Sequence, residues 1–148
     1  MLILACIVSV GIMSCADKED GESWDDWEFR NTINGMPWHV DKIKDANGNW
    51  KSWSDASLFW FEVKFSASNH NFNSEKFYYN DGVADESTRE KYDSSNNTAY
   101  TISGKTIEAT VDGTKYFRIV LNEKVTSLMK CSLYFYKENK TFEVIMSR

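Results

Sequence analysis

The sequence is poor in histidine, cysteine and proline, and it has no basic excess. Two histidines and three cysteines in 148 residues leave little from which to build a metal site. A net charge of −5 and a pI near 5.1 exclude nucleic acid as the partner class, because binding phosphates needs a basic patch. Only one stretch, near the start, is continuously apolar, which excludes a polytopic membrane protein. Proline occurs once, and none of the seven glycines belongs to a phosphate-cradling loop or a Gly-x-Ser-x-Gly elbow. No internal repeat is present. Hydrophobic residues make up 42% and aromatics 15%, enough for one packed domain.

Charge is placed unevenly. Residues 16–30 hold seven acids against two bases, while residues 31–148 balance to zero. Asymmetry of this kind marks a tail or tether. Before it, Leu2–Met13 is apolar except for Ser9. That run is too short to span a bilayer and has the length of a secretory signal's apolar region. Ser14 then supplies a small residue before Cys15. The run Ile12-Met13-Ser14-Cys15 resembles the lipobox of bacterial lipoproteins. The resemblance implies cleavage before Cys15, a diacylglycerol on its thiol and removal of Cys6 with the signal. An ordinary buried N-terminal element and plain secretion are the competing readings. Behind the cysteine, Lys18-Glu19-Asp20 resembles the export signal of Bacteroidetes lipoproteins, which implies the outer face of the outer membrane. Otherwise the segment is a solvated acidic spacer. Trp24 and Trp27 are unusual for a spacer, and either dock on the domain or sit at a headgroup interface. The expected organisation is a signal at 1–14, an acidic tether at 15–33 and a folded domain at 34–148.

From Met36 onward the dominant period is two. Leu58–Phe65 puts Phe59, Phe61, Val63 and Phe65 on one face, and Trp60, Glu62 and Lys64 on the other. Lys105–Val111 and Lys115–Leu121 alternate on either side of Asp112-Gly113, a strong hairpin signal. Leu128–Tyr136 and Lys140–Ser147 form another pair, with Met129, Cys131, Leu133, Phe135, Phe142, Val144 and Met146 inward. Pro37–Ile43, Lys76–Tyr79 and Tyr100–Ser103 complete about eight strands. Ala84–Tyr92 carries Asp85, Glu86, Arg89 and Glu90 without an apolar stripe, and reads as a short helix or surface turn. Ser66–Ser74 reads as a loop. Consecutive hairpins favour an all-β, antiparallel up-and-down barrel, whose closure removes exposed edges.

This layout resembles the lipocalin-like (calycin) lipoproteins of Bacteroidetes. The likeness rests on Asn34-Gly35-Met36-Pro37-Trp38-His39-Val40 near the domain start and on Tyr100–Ile107 near its middle. The first run is similar to the lipocalin Gly-x-Trp strand, with one more residue between glycine and tryptophan. It implies that Trp38 plugs the closed end of a barrel.

Candidates for chemistry are few. His39 points outward beside Trp38, and His70 lies in an Asn-rich loop; neither has partners for a metal. Cys131 reads as a core residue, left without a disulfide partner once Cys15 is acylated. Glu62, Glu108 and Glu143 fall on outward faces as solvated charges. No cofactor and no metal are implied. Trp50, Trp53 and Trp60 share one loop-and-strand unit and are the candidate ligand-binding residues. The expected function is a non-catalytic surface lipoprotein whose barrel binds a small hydrophobic or glycan ligand. The alternative is a structural subunit that uses its aromatics to pack against another envelope protein.

Overall fold

A computed structural model describes residues 15–148, so the expected signal at 1–14 lies outside the described residues. Ten strands form one sheet: β1 (Trp38–Lys44), β2 (Trp50–Ser52), β3 (Phe59–Ser66), β4 (Asn71–Asn80), β5 (Val83–Tyr92), β6 (Thr98–Ser103), β7 (Thr106–Val111), β8 (Thr114–Leu121), β9 (Leu128–Phe135) and β10 (Lys140–Ser147). The order is β5-β4-β3-β1-β10-β9-β8-β7-β6, with β2 a spur on β1, and the paired strands run antiparallel. Pairing of β1 with β10 joins the first and last strands described. The sheet curls until β6 meets the start of β4. There Tyr100 N–H donates to the His70 carbonyl at 3.0 Å, and the Thr98 hydroxyl donates to the Phe72 carbonyl at 2.7 Å. The result is a nearly closed, all-β barrel.

The hydrophobic pattern accounts for this shape. Phe59, Phe61 and Phe65 of β3 meet Phe72, Phe117 and Phe135 inside, all of them fully buried. Phe61 sits edge-to-face on Phe117 and on Phe135, each with centroids 5.2 Å apart. Such contacts add to burial and fix the packing. Asp112 and Gly113 take φ of 49° and 77°, the paired positive angles that a tight hairpin between twisted strands requires.

Three expectations need correction. Strands number ten, because β2 forms on β1 and Ala84–Tyr92 falls within β5. Strand β5 lies at one end of the sheet order, with charges on both of its faces, so it lacks the alternation of a half-buried strand. Strand β4 begins at Asn71, inside the expected loop. The segment 15–33 is also not a spacer throughout. Trp24–Thr32 forms helix α1, and Trp27, Phe29, Arg30, Asn31 and Ile33 are buried. Ser23 caps α1 by accepting the Asp26 amide at 3.0 Å, and Asp25 and Asp26 favour its positive N-terminus. The Trp38 indole donates to the Ile33 carbonyl at 3.1 Å, so α1 closes the barrel end where β1 begins. A second, four-residue helix, α2 (Trp53–Ala56), links β2 to β3.

Candidate ligand-binding site

The end of the barrel away from α1 holds a polar cluster within the aromatic core. Strand β4 turns Phe72, Ser74 and Lys76 to the buried face, and the Lys76 side chain is wholly buried. A buried ammonium costs several kcal/mol unless it is paired. Lys76 Nζ is 3.0 Å from Glu90 Oε1 on β5 and 2.8 Å from Glu138 Oε1 in the β9–β10 turn. It also lies 4.3 Å from the Phe135 ring centroid and 5.4 Å from that of Tyr116. Burial works against ionisation of Glu138. The hydrogen bond and positive charge of Lys76 prevail, and hold its carboxyl below the usual range.

Four buried polar atoms near Lys76 face one another in two pairs, Tyr78 with Glu138 and Tyr116 with Ser74, at less than ideal hydrogen-bond geometry. Burial raises the pKa of both phenols, and a nearby carboxylate raises each further, Glu138 at Tyr78 and Glu90 at Tyr116, so both stay protonated. Beside the cluster lies a cavity of about 480 Å³ lined by Glu90, Tyr92, Tyr116, Tyr136, Lys115 and Lys137, among others. Glu90 and Tyr116 belong to both cavity wall and cluster. Around this mouth Lys76 is paired with Glu90 and Glu138, and Lys115 lies 3.8 Å from Glu108. The signal for this site was present in the alternation of β4, which puts Lys76 on the face of Phe72.

The tryptophans named from the sequence lie elsewhere. Trp60 is on the outer face of β3, with Trp53 edge-on at 5.1 Å and His39 stacked at 5.5 Å. Tyr79 stacks on Trp53 at 6.3 Å, which extends the outer aromatic patch. Trp50 stands apart on β2, exposed, with Lys44 5.6 Å above its ring. None of the three lines the mouth cavity.

The acidic segment is folded onto the closed end. Trp27 Nε1 donates to the Ala16 carbonyl at 2.7 Å, and Ala16 N–H donates to Asn31 Oδ1 at 2.7 Å. Lys18 lies over Trp24, and Glu19 contacts His70. Asp20 is exposed. Cys15 is partly buried at the start of the docked segment. Glu108 accepts from the Tyr136 hydroxyl, and Glu143 from Ser132 and Asn122. No grouping of three or more potential metal ligands occurs among the described residues. Comparison with family models, curated proteins and solved structures finds no match.

Proposed function

We propose that this chain is a lipid-anchored lipoprotein of the outer membrane surface, whose barrel binds a small hydrophobic or glycan ligand at its open end without catalysis. The observation that carries the reading is the buried, ion-paired Lys76 group with a tyrosine-lined cavity against it. A small barrel gains nothing in stability from such a group that apolar packing would not supply. Recognition at the barrel mouth gives it a use. The buried Trp38 beneath α1 supports the lipocalin likeness, and the segment after Cys15 docks at the end opposite the mouth, as an anchor that leaves the mouth open requires.

Palmitate labelling and mass spectrometry of the mature chain test the anchor. Cys15→Ala should lose both label and membrane retention. A mature chain that carries a reducible disulfide at Cys15 in place of an acyl group would overturn it. Alanine at Lys18, Glu19 and Asp20 should abolish surface protease accessibility while labelling persists.

A second reading makes the chain an interaction subunit of an envelope assembly. It is favoured by the outer patch of Trp53, Trp60, His39 and Tyr79, whose rings stack on one another outside the barrel. Trp53→Ala with Trp60→Ala should then release a crosslinked envelope partner and leave binding at the mouth unchanged.

A further inference from the structure

We infer that the closed end of the barrel rests on the membrane surface, with Trp24 seated among the headgroups of a zwitterionic lipid. This rests on the reading of Cys15 as the lipid attachment point, and adds where the folded domain then stands and what it touches.

The length of free chain decides the first part. As an extended spacer, residues 15–33 would reach about 65 Å and hold the barrel clear of the bilayer. They are not extended. Ala16, the residue after the attachment point, is pinned to α1 through both of its backbone groups. Its N–H donates to Asn31 Oδ1 at 2.7 Å, and its carbonyl accepts from Trp27 Nε1 at 2.7 Å. The segment behind it is held by Arg30, which donates to the Asp17 carbonyl at 2.8 Å and pairs with Glu22. One peptide unit, about 4 Å, therefore separates the pinned chain from the anchor. A headgroup layer is about 6 Å thick, so α1 is held at its surface.

The two tryptophans of this region differ in burial. Trp27 is 8% exposed and holds Ala16, whereas Trp24 is 64% exposed and stands edge-on to Trp27, with centroids 5.6 Å apart. An indole one ring away from the anchored residue meets the layer that tryptophan favours, where its ring leaves water and its N–H stays hydrogen-bonded. Lys18 Nζ lies 5.3 Å from the Trp24 ring centroid and supplies a cation for lipid phosphate beside it.

Charge selects the headgroup. Glu22 is committed to Arg30, Glu19 meets His70, and Glu28 meets Lys124. Asp26 accepts the Gly104 amide. Asp17, Asp20 and Asp25 are exposed and form no ion pair among the described residues. These uncommitted carboxylates outnumber Lys18, and an anionic surface within a Debye length repels them. A phosphatidylethanolamine surface offers ammonium groups to the carboxylates and phosphates to Lys18.

In the test, the mature lipidated chain is labelled with fluorotryptophan and reconstituted into phosphatidylethanolamine–phosphatidylcholine vesicles that contain a nitroxide-headgroup lipid. Trp24→Phe and Trp50→Phe assign two of the fluorine signals. Trp50 is the control. It is exposed too, but pairs with Lys44 at the far end of β1, about 20 Å along the strand from Trp38 under α1. The Trp24 signal should broaden about fivefold more than that of Trp50. With about a third of the lipid replaced by phosphatidylglycerol, the broadening of Trp24 should fall by about half, and about 0.5 M NaCl should restore it. Equal broadening of the two signals, or none at Trp24, in a chain whose acyl groups are confirmed by mass spectrometry would overturn the membrane contact and leave the anchor standing. Broadening of Trp24 that ignores phosphatidylglycerol would overturn the headgroup assignment. A mature chain without an acyl group would overturn the anchor and the membrane contact together.

Discussion

Arg30 and Glu22 meet through two parallel hydrogen bonds, Nε to Oε1 at 2.8 Å and Nη2 to Oε2 at 2.9 Å. Arg30 also donates to the carbonyls of Ala67 and Asp17, at 2.5 Å and 2.8 Å, so one buried guanidinium ties α1, the β3–β4 connection and the acidic segment together. The hydrogen bond from Arg30 holds the Glu22 carboxyl below its ordinary 4.5, against the opposing effect of burial. A depressed folded-state pKa stabilises the protein above the unfolded value, and that stability is lost as pH falls through the folded value. The urea midpoint of the native chain should therefore fall steeply below about pH 4.5, and that of Glu22→Gln should fall less. Arg30→Met, which strands Glu22 and two carbonyls, should cost about 3 kcal/mol at pH 7 by urea denaturation.

Lys76 makes a second prediction of the same kind at the other end of the barrel. Lys76→Met leaves Glu90 and Glu138 facing each other without the cation, and should destabilise by about 3 kcal/mol at neutral pH. Adding Glu90→Gln and Glu138→Gln should recover most of this, because it removes the uncompensated charge. The Glu138 carboxyl is held below its usual range, so the stabilisation from this pair too is present at neutral pH and lost on acidification. Chemical denaturation of the single and triple variants at pH 7 and pH 4 measures both effects. Equal stability of Lys76→Met and the native chain at pH 7 would contradict the pairing.

Much of the barrel was legible in the sequence because a half-buried strand writes its two faces as alternation. Phe59, Phe61, Val63 and Phe65 point inward as expected, and Asp112-Gly113 forms the hairpin. Two elements were hidden for physical reasons. Strand β5 lies at one end of the strand order and packs little apolar surface, so Arg89 reaches Glu75 and Glu86 where a core strand would bury a side chain. Helix α1 was masked by the acids on its exposed face, although Ser23, two acids in the first turn and Arg30 in the last form an N- to C-terminal capping signature. The buried Lys76 cluster was missed because lysine is read as a surface residue. Its parity with Phe72 and Ser74 on β4 was the available signal. The tryptophans drew attention by size, and they cluster on the outer face of the barrel.

That capping signature carries its own prediction. The Ser23 hydroxyl satisfies one of the free amides at the start of α1. Ser23→Ala should cost about 1 kcal/mol, and Ser23→Asp should restore it. Because α1 covers Trp38, amide exchange of the Trp38 indole should quicken in Ser23→Ala and return to the native rate in Ser23→Asp. An unchanged indole rate in Ser23→Ala would mean that α1 does not control access to the closed end.

Cys131 should report on opening of the barrel as a whole. It sits on β9, fully buried, pairing in register with Leu121 of β8 and Val144 of β10. Burial pushes its thiol up to about 12, with a further rise from the Glu143 charge. The thiolate is the form that attacks thiol reagents, and the folded chain offers almost none of it at pH 8, and little access. In a chain whose other two cysteines are alanine, modification of Cys131 should be slow in buffer. It should accelerate with urea along the same curve as loss of the far-ultraviolet β signal, because both need the barrel to open. Cys131→Ser should destabilise by about 2 kcal/mol, since its hydroxyl enters an apolar layer, whereas Cys131→Ala should lose little more than the volume of one sulfur atom. Fast modification in buffer at pH 8, with the β signal intact, would show that strands β8 to β10 part locally and that the core described for them is not held shut.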